Sequence, residues 1–326
     1  MKKFFVVLSA ISVLGLAFSS VTMAAPSFHL YVSTAGSDIK PCTRAEPCRT
    51  FQVAIDHVTS GGEVVALDSG EFGPVIISKS VTLSGEGVHA TITQETAGAD
   101  AITLKTLSTM TVTLRALTIL GVGTAGQGIT LNNYVSSGNQ IRPYSVAALY
   151  VEDCVIDGFT KQGIVFAPVP LGQLFVSDSS IRNCALYGLV VVGGQTTLSA
   201  QASIERTRLE HNGAAGLITT AGVSQTTIGN SVLSGNGMGV STGGLPSEVN
   251  INNCLIANNG TGIYNYGITR VANSTITNNK TGLFNAPPLG NLVGKLLSRT
   301  TGTNVLTNTV AGNDTNGSFS DTYAAK

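Results

Sequence analysis

The chain of 326 residues contains no tryptophan, only four histidines and no excess of charge of either sign. Lys and Arg together number 18, Asp and Glu together number 18, and charged residues make up 11% of the chain. The basic residues form no cluster, whereas nucleic-acid binding requires a basic surface. The composition therefore excludes nucleic acid as a partner.

The four histidines stand far apart in the sequence, at His29, His57, His89 and His211. This spread argues against a zinc site, which needs several ligands together, and against a catalytic triad. The best acid–base candidate that remains is Glu210 beside His211.

Long apolar runs are absent after the first 24 residues. Lys2 and Lys3 precede an apolar run over 4–18, and small residues lead to Ala24. This is the pattern of a signal peptide cleaved after Ala24, and the run is shorter than the ~20 residues that span a bilayer. We therefore expect a secreted or periplasmic protein with no membrane span after cleavage.

A repeat fills most of the remaining chain, and it is clearest over 249–264. An aliphatic residue is followed five positions later by a second aliphatic, then by an Asn-rich turn and a Gly-aliphatic pair. The first aliphatic position holds Val151, Val176, Ile204, Ile228, Ile251 and Val271, and the second holds Ile156, Ile181, Leu209, Leu233, Ile256 and Ile276. From Gly128 the closing glycines are separated by 35, 25, 28, 23, 23 and 20 residues. Such a period predicts a stacked β-solenoid.

The x-Ile-x-x-Asn-x-x-x-Gly-Ile type of repeat resembles that of right-handed parallel β-helix proteins of the pectate-lyase-like superfamily. The resemblance extends over roughly Val32 to Asn313. It implies an all-β chain folded as a single-stranded right-handed parallel β-helix, and it is specific for fold rather than for activity.

Three segments follow the predicted signal peptide. In 25–60 we expect a disulfide loop and a capping helix, because Phe51, Ala54, Ile55 and Val58 lie on one helical face after a Thr50 N-cap. We assign 61–313 to the β-helix. The polar segment 314–326 is predicted to be a flexible tail.

The five cysteines divide into one close pair and three single residues. Cys42 and Cys48 predict a disulfide in an exported chain, with a metal or redox pair as the alternative. Cys154 and Cys254 occupy one repeat position four copies apart, about 19 Å in stacked strands, whereas a disulfide needs Cα atoms within about 7 Å. We predict that these two and Cys184 are separate thiols.

Two polar columns recur in the repeats. Asn212, Asn236, Asn259 and Asn279 predict an internal asparagine ladder, at turns where Asn tolerates a left-handed backbone. The second column runs Asp153, Asp178, Arg206, Asn230, Asn253 and Asn273. Asp153 and Asp178 are candidate calcium ligands or part of a charge-balanced stack. Two carboxylates are few for calcium, which takes six to eight oxygens. We therefore predict that the protein has no cofactor, with calcium as the alternative.

Candidate binding surfaces lie in a loop and beside the closing glycines. Tyr134, Arg142 and Tyr144 in the 132–145 loop are candidates for binding a sugar acid, or else the tyrosines pack on the coil wall. Tyr264 and Tyr266 are further ligand-binding candidates. Among the outward positions that follow each closing pair, Val165, Val190 and Ile218 form an apolar stripe, available for self-association or covered by the chain itself.

Catalytic residues of polysaccharide-cleaving enzymes are not found. Glycoside hydrolysis needs two carboxylates about 5 to 9.5 Å apart, and the outward positions beside the closing glycines hold none. The Asn-Thr-Asp, Asp-Asp and Gly-His-Gly set of polygalacturonase-like enzymes and the Arg-x-Pro-x-x-Arg pattern of pectate lyases are absent. We predict a non-catalytic glycan-binding or cell-surface structural and adhesive module, with a polysaccharide or the cell envelope as partner. The alternative is a lyase or hydrolase acting on acidic polysaccharide.

Overall fold

A computed structural model describes residues 27–131, 144–194, 200–220, 222–286, 295–301, 304–305 and 308–324. The predicted signal peptide, Tyr134 and Arg142 lie outside these residues. In the described part of the chain, no helix is both long enough and apolar enough to cross a membrane.

Three long sheets make up the molecule, and each turn of the chain adds one strand to each sheet. The first sheet contains β1 (His29–Val32), β2 (Gly62–Ala66), β5 (Val81–Ser84), β8 (Thr111–Arg115), β11 (Val146–Glu152), β14 (Gly172–Ser177), β17 (Ala200–Glu205), β20 (Ser224–Gly229), β23 (Glu248–Asn252), β26 (Ile268–Ala272), β29 (Lys295–Thr301), β30 (Asn304–Val305) and β32 (Asp321–Ala324).

The second sheet consists of short strands. It contains β3 (Gly70–Glu71), β6 (Ala90–Gln94), β9 (Leu117–Gly121), β12 (Val155–Asp157), β15 (Ser180–Arg182), β18 (Arg208–Glu210), β21 (Val232–Ser234), β24 (Leu255–Ala257), β27 (Thr275–Thr277) and β31 (Thr309–Ala311). The third sheet contains β4 (Val75–Ile77), β7 (Ile102–Leu104), β10 (Ile129–Leu131), β13 (Gln162–Phe166), β16 (Tyr187–Val191), β19 (Ala215–Thr219), β22 (Met238–Thr242), β25 (Thr261–Asn265) and β28 (Thr281–Asn285).

The predicted parallel β-helix is confirmed by the register of these strands. Ile204, Ile228, Ile251 and Val271 lie directly over one another in β17, β20, β23 and β26. All four are buried, and burying such a side chain contributes roughly 1.5–3 kcal/mol. The repeat therefore builds the core by placing like aliphatic residues in continuous columns.

The N-terminal end is closed by the predicted helix, α1 (Phe51–His57), whose N-cap Thr50 accepts a hydrogen bond from the amide of Val53. Phe51 is buried against Phe72, with ring centroids 5.2 Å apart. One boundary differs from the prediction. Strand β1 lies within 25–60 but pairs in parallel with β2, so the first sheet begins before the helix rather than after it.

The C-terminal segment 314–324, predicted to be a flexible tail, contains one short strand and one isolated bridge. Strand β32 pairs in parallel with β29, and Thr315 forms a bridge with Thr281. These contacts give partners to backbone groups that the last rung would otherwise leave open, which is the usual way in which a sheet edge is protected.

The four predicted ladder asparagines form one continuous chain of buried hydrogen bonds. The side-chain amide of Asn212 donates to Asn236 at 3.0 Å, Asn236 to Asn259 at 3.0 Å, and Asn259 to Asn279 at 2.9 Å. Asn279 continues the chain to Asn313 at 3.0 Å. The ladder thus locks five successive turns together between the second and third sheets.

The left-handed backbone is found at other positions than the predicted ones, and this part of the prediction is wrong. The ladder asparagines are not among the residues with positive φ. Positive φ is found instead at the residue just before each ladder asparagine. It is also found in the column of turn residues that joins the first sheet to the second. The positive-φ residues at these turns are Asp153, Asp178, Asn183, Arg206, His211, Asn230, Gly235, Asn253, Asn258, Asn273 and Asn278. Asn and Gly are frequent here because the left-handed region costs them least.

Candidate functional site

The outer face of the first sheet carries a pair of stacked aromatic rings. Val151 and Val176 point inward on β11 and β14, and strand alternation therefore turns Tyr150 and Phe175 outward. The two residues are in register, and their rings lie 4.8 Å apart at an interplanar angle of 11°. Both are half-buried, which leaves ring surface open to solvent.

A column of glutamines runs beside this aromatic pair. Gln173, Gln201 and Gln225 are in register on three successive strands, and the Gln173 amide donates to Gln201 Oε1 at 3.0 Å. Together they line a shallow groove of about 200 Å³, which we call the first-sheet groove. Its lining residues are Gln173, Leu174, Phe175, Gln201, Ala202, Ser203, Gln225 and Thr227.

Charged residues border the first-sheet groove in compensated pairs. Toward the N-terminal rungs, Arg115 binds Glu152 at 2.9 Å and approaches Glu86 at 3.6 Å. Toward the C-terminal rungs, Arg270 binds Glu248 at 2.9 Å. Each ion pair is partly exposed, so it contributes little to stability, but it leaves the border close to neutral.

The groove was not predicted from the sequence, because the outward residues that follow each closing glycine belong to the third sheet. The groove residues stand on the other side of the repeat, just before the first aliphatic position. There the successive copies have Tyr150, Phe175, Ser203, Thr227, Asn250 and Arg270. Two aromatic residues in adjacent copies at one repeat position were the available signal.

The predicted residues Tyr264 and Tyr266 lie on the third sheet and form a separate surface. Their hydroxyl groups are 2.8 Å apart, and this hydrogen bond, with burial, raises the pKa of Tyr264. The ring of Tyr264 also stacks on Phe284 at 4.8 Å and 13°. We call these three residues the third-sheet aromatic cluster. Phe284 was not among the predicted binding residues although 39% of it is exposed.

Of the predicted loop candidates, only Tyr144 is described. It is partly buried and packs against the hydrophobic core, as expected for a tyrosine on the coil wall rather than one presented to a ligand.

The predicted apolar stripe is mostly covered. Val165, Val190 and Ile218 are in register on β13, β16 and β19, but Val165 and Val190 are each only 7% exposed and Ile218 is half-buried. Of the two alternatives, cover by the chain itself therefore describes Val165 and Val190, which offer little surface for self-association.

Glu210 and His211 engage separate partners. Both carboxylate oxygens of Glu210 bind Arg208, at 2.6 and 2.9 Å. His211 has a φ of 55° and its ring lies over Gly235, where an added Cβ would be 2.8 Å from His211 Cδ2. His211 thus occupies the turn position that Asn or Gly takes in neighbouring rungs, and its ring fills the space above a glycine.

The two candidate calcium ligands differ in their surroundings. Asp178 accepts hydrogen bonds from Arg206 at 2.7 and 2.8 Å, and this contact lowers the pKa of the carboxyl group. Asp153 lines a separate depression with Ser69 and His89. Asp178 thus fits the alternative of a charge-balanced stack, because its two oxygens already have Arg206 as a cationic partner.

We therefore expect calcium to leave the thermal unfolding midpoint unchanged relative to EDTA, because an ion would first have to displace Arg206. Scanning calorimetry of the native protein in both buffers measures this. A calcium-dependent rise in the midpoint that disappears in Asp178→Asn would contradict the expectation, since binding to the folded state alone raises stability.

The predicted Cys42–Cys48 disulfide is confirmed. His57, the last residue of α1, lies close to it, with Nδ1 3.6 Å from Cys42 Sγ. Among the described residues, these are the one group of three or more His, Cys, Asp or Glu side chains close enough to share a metal ion. The disulfide removes the thiolates that such an ion would need.

Cys154, Cys184 and Cys254 are free and buried, as predicted. Burial raises the pKa of their thiols to about 12, about 12 and about 11. We expect none of the three to react with a thiol reagent at pH 8 in the native state, and all three to react in denaturant, as measured by reagent titration. Because the unfolded thiols ionise first, near 9.0, stability should also fall as pH rises from about 9 toward 11. Rapid native labelling of any one of them would contradict the burial.

The three stacked parallel sheets place the chain in the class of right-handed parallel β-helix proteins, the fold that the repeat predicts. Among solved structures it is similar to pectate lyase Pel9A, with 13% identity and a TM-score of 0.50 over 92% of this chain and 79% of that one. It is also similar to XylC in complex with xylose, with 8% identity and a TM-score of 0.57 over 77% of this chain and 66% of that one. At these identities the likeness is one of fold. No family model and no curated protein matches the sequence.

Proposed function

We propose that this is an exported, non-catalytic β-helix protein that holds a polysaccharide or a cell-envelope glycan in the first-sheet groove. The observation that supports it is the stacked pair Tyr150 and Phe175 beside an in-register glutamine column. Aromatic faces bind the apolar faces of sugar rings, and carboxamides offer donors and acceptors to hydroxyl groups. A rigid sheet holds these groups in place before the ligand arrives, which reduces the entropy cost of binding.

The lining of the groove supports binding without cleavage. Its residues are aliphatic, aromatic, hydroxyl or carboxamide side chains, whereas glycoside hydrolysis needs two carboxylates about 5 to 9.5 Å apart. The carboxylates that flank the groove, Glu152, Glu205 and Glu248, have arginine nitrogens at 2.9, 3.8 and 2.9 Å. The name of pectate lyase Pel9A describes the chemistry of that protein, and a shared fold is a weak guide to activity.

The test is to incubate the purified mature protein with plant, algal and bacterial polysaccharides, with and without calcium, and to measure new reducing ends and unsaturated products. Retention of the protein on the same immobilised polysaccharides is then measured. We expect retention without cleavage. Cleavage would favour the lyase or hydrolase alternative and direct attention to the 132–145 loop and to Glu210 and His211. Absence of both would leave a structural or adhesive role.

Export is tested on the same preparation. Mass spectrometry of the protein recovered outside the cytoplasm should give a mature N-terminus at Ala25, as the predicted cleavage site requires. A protein that retains Met1 in the cytoplasm would contradict the export part of the proposal.

A further inference from the structure

We infer that the first-sheet groove takes an uncharged stretch of a linear polysaccharide and discriminates against uronic acid polymers. The inference rests on the proposed glycan binding and specifies its ligand class. It starts from the lining, because none of the eight side chains around the groove carries a charge.

The borders of the groove supply no free cation within the described residues that flank it. Glu248 is the next residue after Gln225 in the glutamine column, and Arg270 binds it at 2.9 Å. On the opposite side of the aromatic row, Arg115 is shared between Glu152 and Glu86. Each arginine therefore already has an acidic partner at close range.

Glu205 is a further acidic group on the same face. Glu205 extends the row that contains Glu152 and Ser177, and it is contacted by the side-chain amide of Asn230 and, at 3.8 Å, by Arg206. Arg206 gives its two closest contacts to Asp178 instead. A polyanion laid across the groove would meet paired arginines and partly exposed carboxylates beside it, and like charges at close range repel. The exposed Lys295 is in the same row as the glutamines but lies three strands beyond Gln225.

The glutamine side chains of the groove are suited to binding the hydroxyl groups of neutral sugars. A carboxamide has two N–H donors and an acceptor oxygen with two lone pairs, so the single Gln173–Gln201 bond leaves bonding capacity on both residues. Hydroxyl groups both donate and accept, and can therefore complete these bonds. A carboxylate only accepts, and would lose its hydration without gaining a cation.

The glutamines also repeat at the right interval for a polymer. Adjacent strands are about 4.8 Å apart, which is close to the length that one pyranose ring adds to an extended chain. A linear polysaccharide running across β14, β17 and β20 would therefore meet one glutamine at each sugar, with Tyr150 and Phe175 stacking at one end of the run.

The experiment compares retention of the mature protein on neutral polymers (xylan, glucomannan and galactan) with retention on acidic ones (polygalacturonate and alginate). We expect at least one neutral polymer to be bound about tenfold or more tightly than either acidic one, a difference of about 1.4 kcal/mol. Binding should persist in about 0.5 M NaCl, where charge interactions are screened beyond roughly 4 Å. Equal or tighter binding of an acidic polymer would overturn the inference while keeping the proposed function. Retention on neither class would overturn the proposed function itself.

A charge introduced into the groove gives an independent check. Gln201→Lys should increase retention on polygalacturonate severalfold in a salt-sensitive manner, because it supplies the cation that the groove lacks. Gln162→Lys makes the same change on the third sheet, at a half-buried position outside the groove. An equal increase in both variants would mean that net charge alone controls binding, and would overturn the role given to the groove.

Discussion

Replacing Asn236 with alanine is expected to lower the free energy of unfolding by about 3–5 kcal/mol. Asn236 is only 3% exposed, and its side chain makes four hydrogen bonds. The amide donates to Leu209 O at 2.9 Å and to Asn259 at 3.0 Å, and the oxygen accepts from the backbone and side-chain amides of Asn212.

The expected loss is large because the partners of Asn236 are themselves buried. Alanine would leave the Leu209 carbonyl and the Asn212 backbone N–H without these bonds, and the Asn212 side-chain amide would keep only its bond to Ile181 O at 3.2 Å. Each unsatisfied buried group costs about 1–3 kcal/mol. The cavity left by the missing carboxamide adds a further penalty. Water cannot easily compensate, because Asn212 and Asn259 above and below are equally buried.

Urea unfolding followed by circular dichroism measures the effect, with Asn252→Ala as the matched control. Asn252 is exposed, and its side chain accepts one hydrogen bond, from Asn273 at 3.0 Å, so its loss should stay within about 0.5 kcal/mol. Equal effects of the two variants would show that the ladder does not hold the turns together. A second transition in Asn236→Ala alone would mean that the rungs uncouple there, as nearest-neighbour stability allows in a solenoid.

The ladder and the core were accessible to sequence reasoning because they depend only on the position of a residue within the repeat. A buried column needs the same kind of residue in every copy, so Ile251 and Asn259 could be placed by comparing copies. The cost of burying an unsatisfied group or a cavity keeps such positions uniform.

The groove could not be predicted in the same way, because outward positions carry different residues in different copies. Phe175 is followed on the next rungs by Ser203 and Thr227, and only the strand register shows that these form one surface with the glutamines. The pairing of β32 with β29 is a different case. It joins a polar segment to a distant strand, and no periodicity in the sequence marks such a contact.

Removing the rings of Phe175, which lines the groove, and of Tyr150, which stacks on it, is expected to weaken glycan retention by about 30-fold or more. Buried aromatic anchors commonly contribute 2 kcal/mol or more to binding, and 2 kcal/mol corresponds to roughly 30-fold in affinity. The variant Tyr150→Ala/Phe175→Ala removes the stacking surface while the inward residues Val151 and Val176 stay in the core. The protein should therefore remain folded, which circular dichroism and the unfolding midpoint will verify.

The third-sheet aromatic cluster offers a matched comparison on another face. Tyr264 and Phe284 stack at 4.8 Å and 13°, against 4.8 Å and 11° for Tyr150 and Phe175. The variant Tyr264→Ala/Phe284→Ala therefore loses the same chemistry from a similarly stacked pair. The third-sheet pair differs in that no glutamine column lies beside it, because all residues of that column are on the first sheet.

The comparison thus separates two explanations of binding. If exposed aromatic rings alone retain the glycan, the two double variants should lose affinity by similar factors. If binding requires rings beside in-register carboxamides, the groove variant should lose far more, and Gln201→Ala with both rings intact should also lose severalfold. A larger loss in the third-sheet variant would show that the glycan binds there instead, at the surface where the hydroxyl groups of Tyr264 and Tyr266 are hydrogen-bonded.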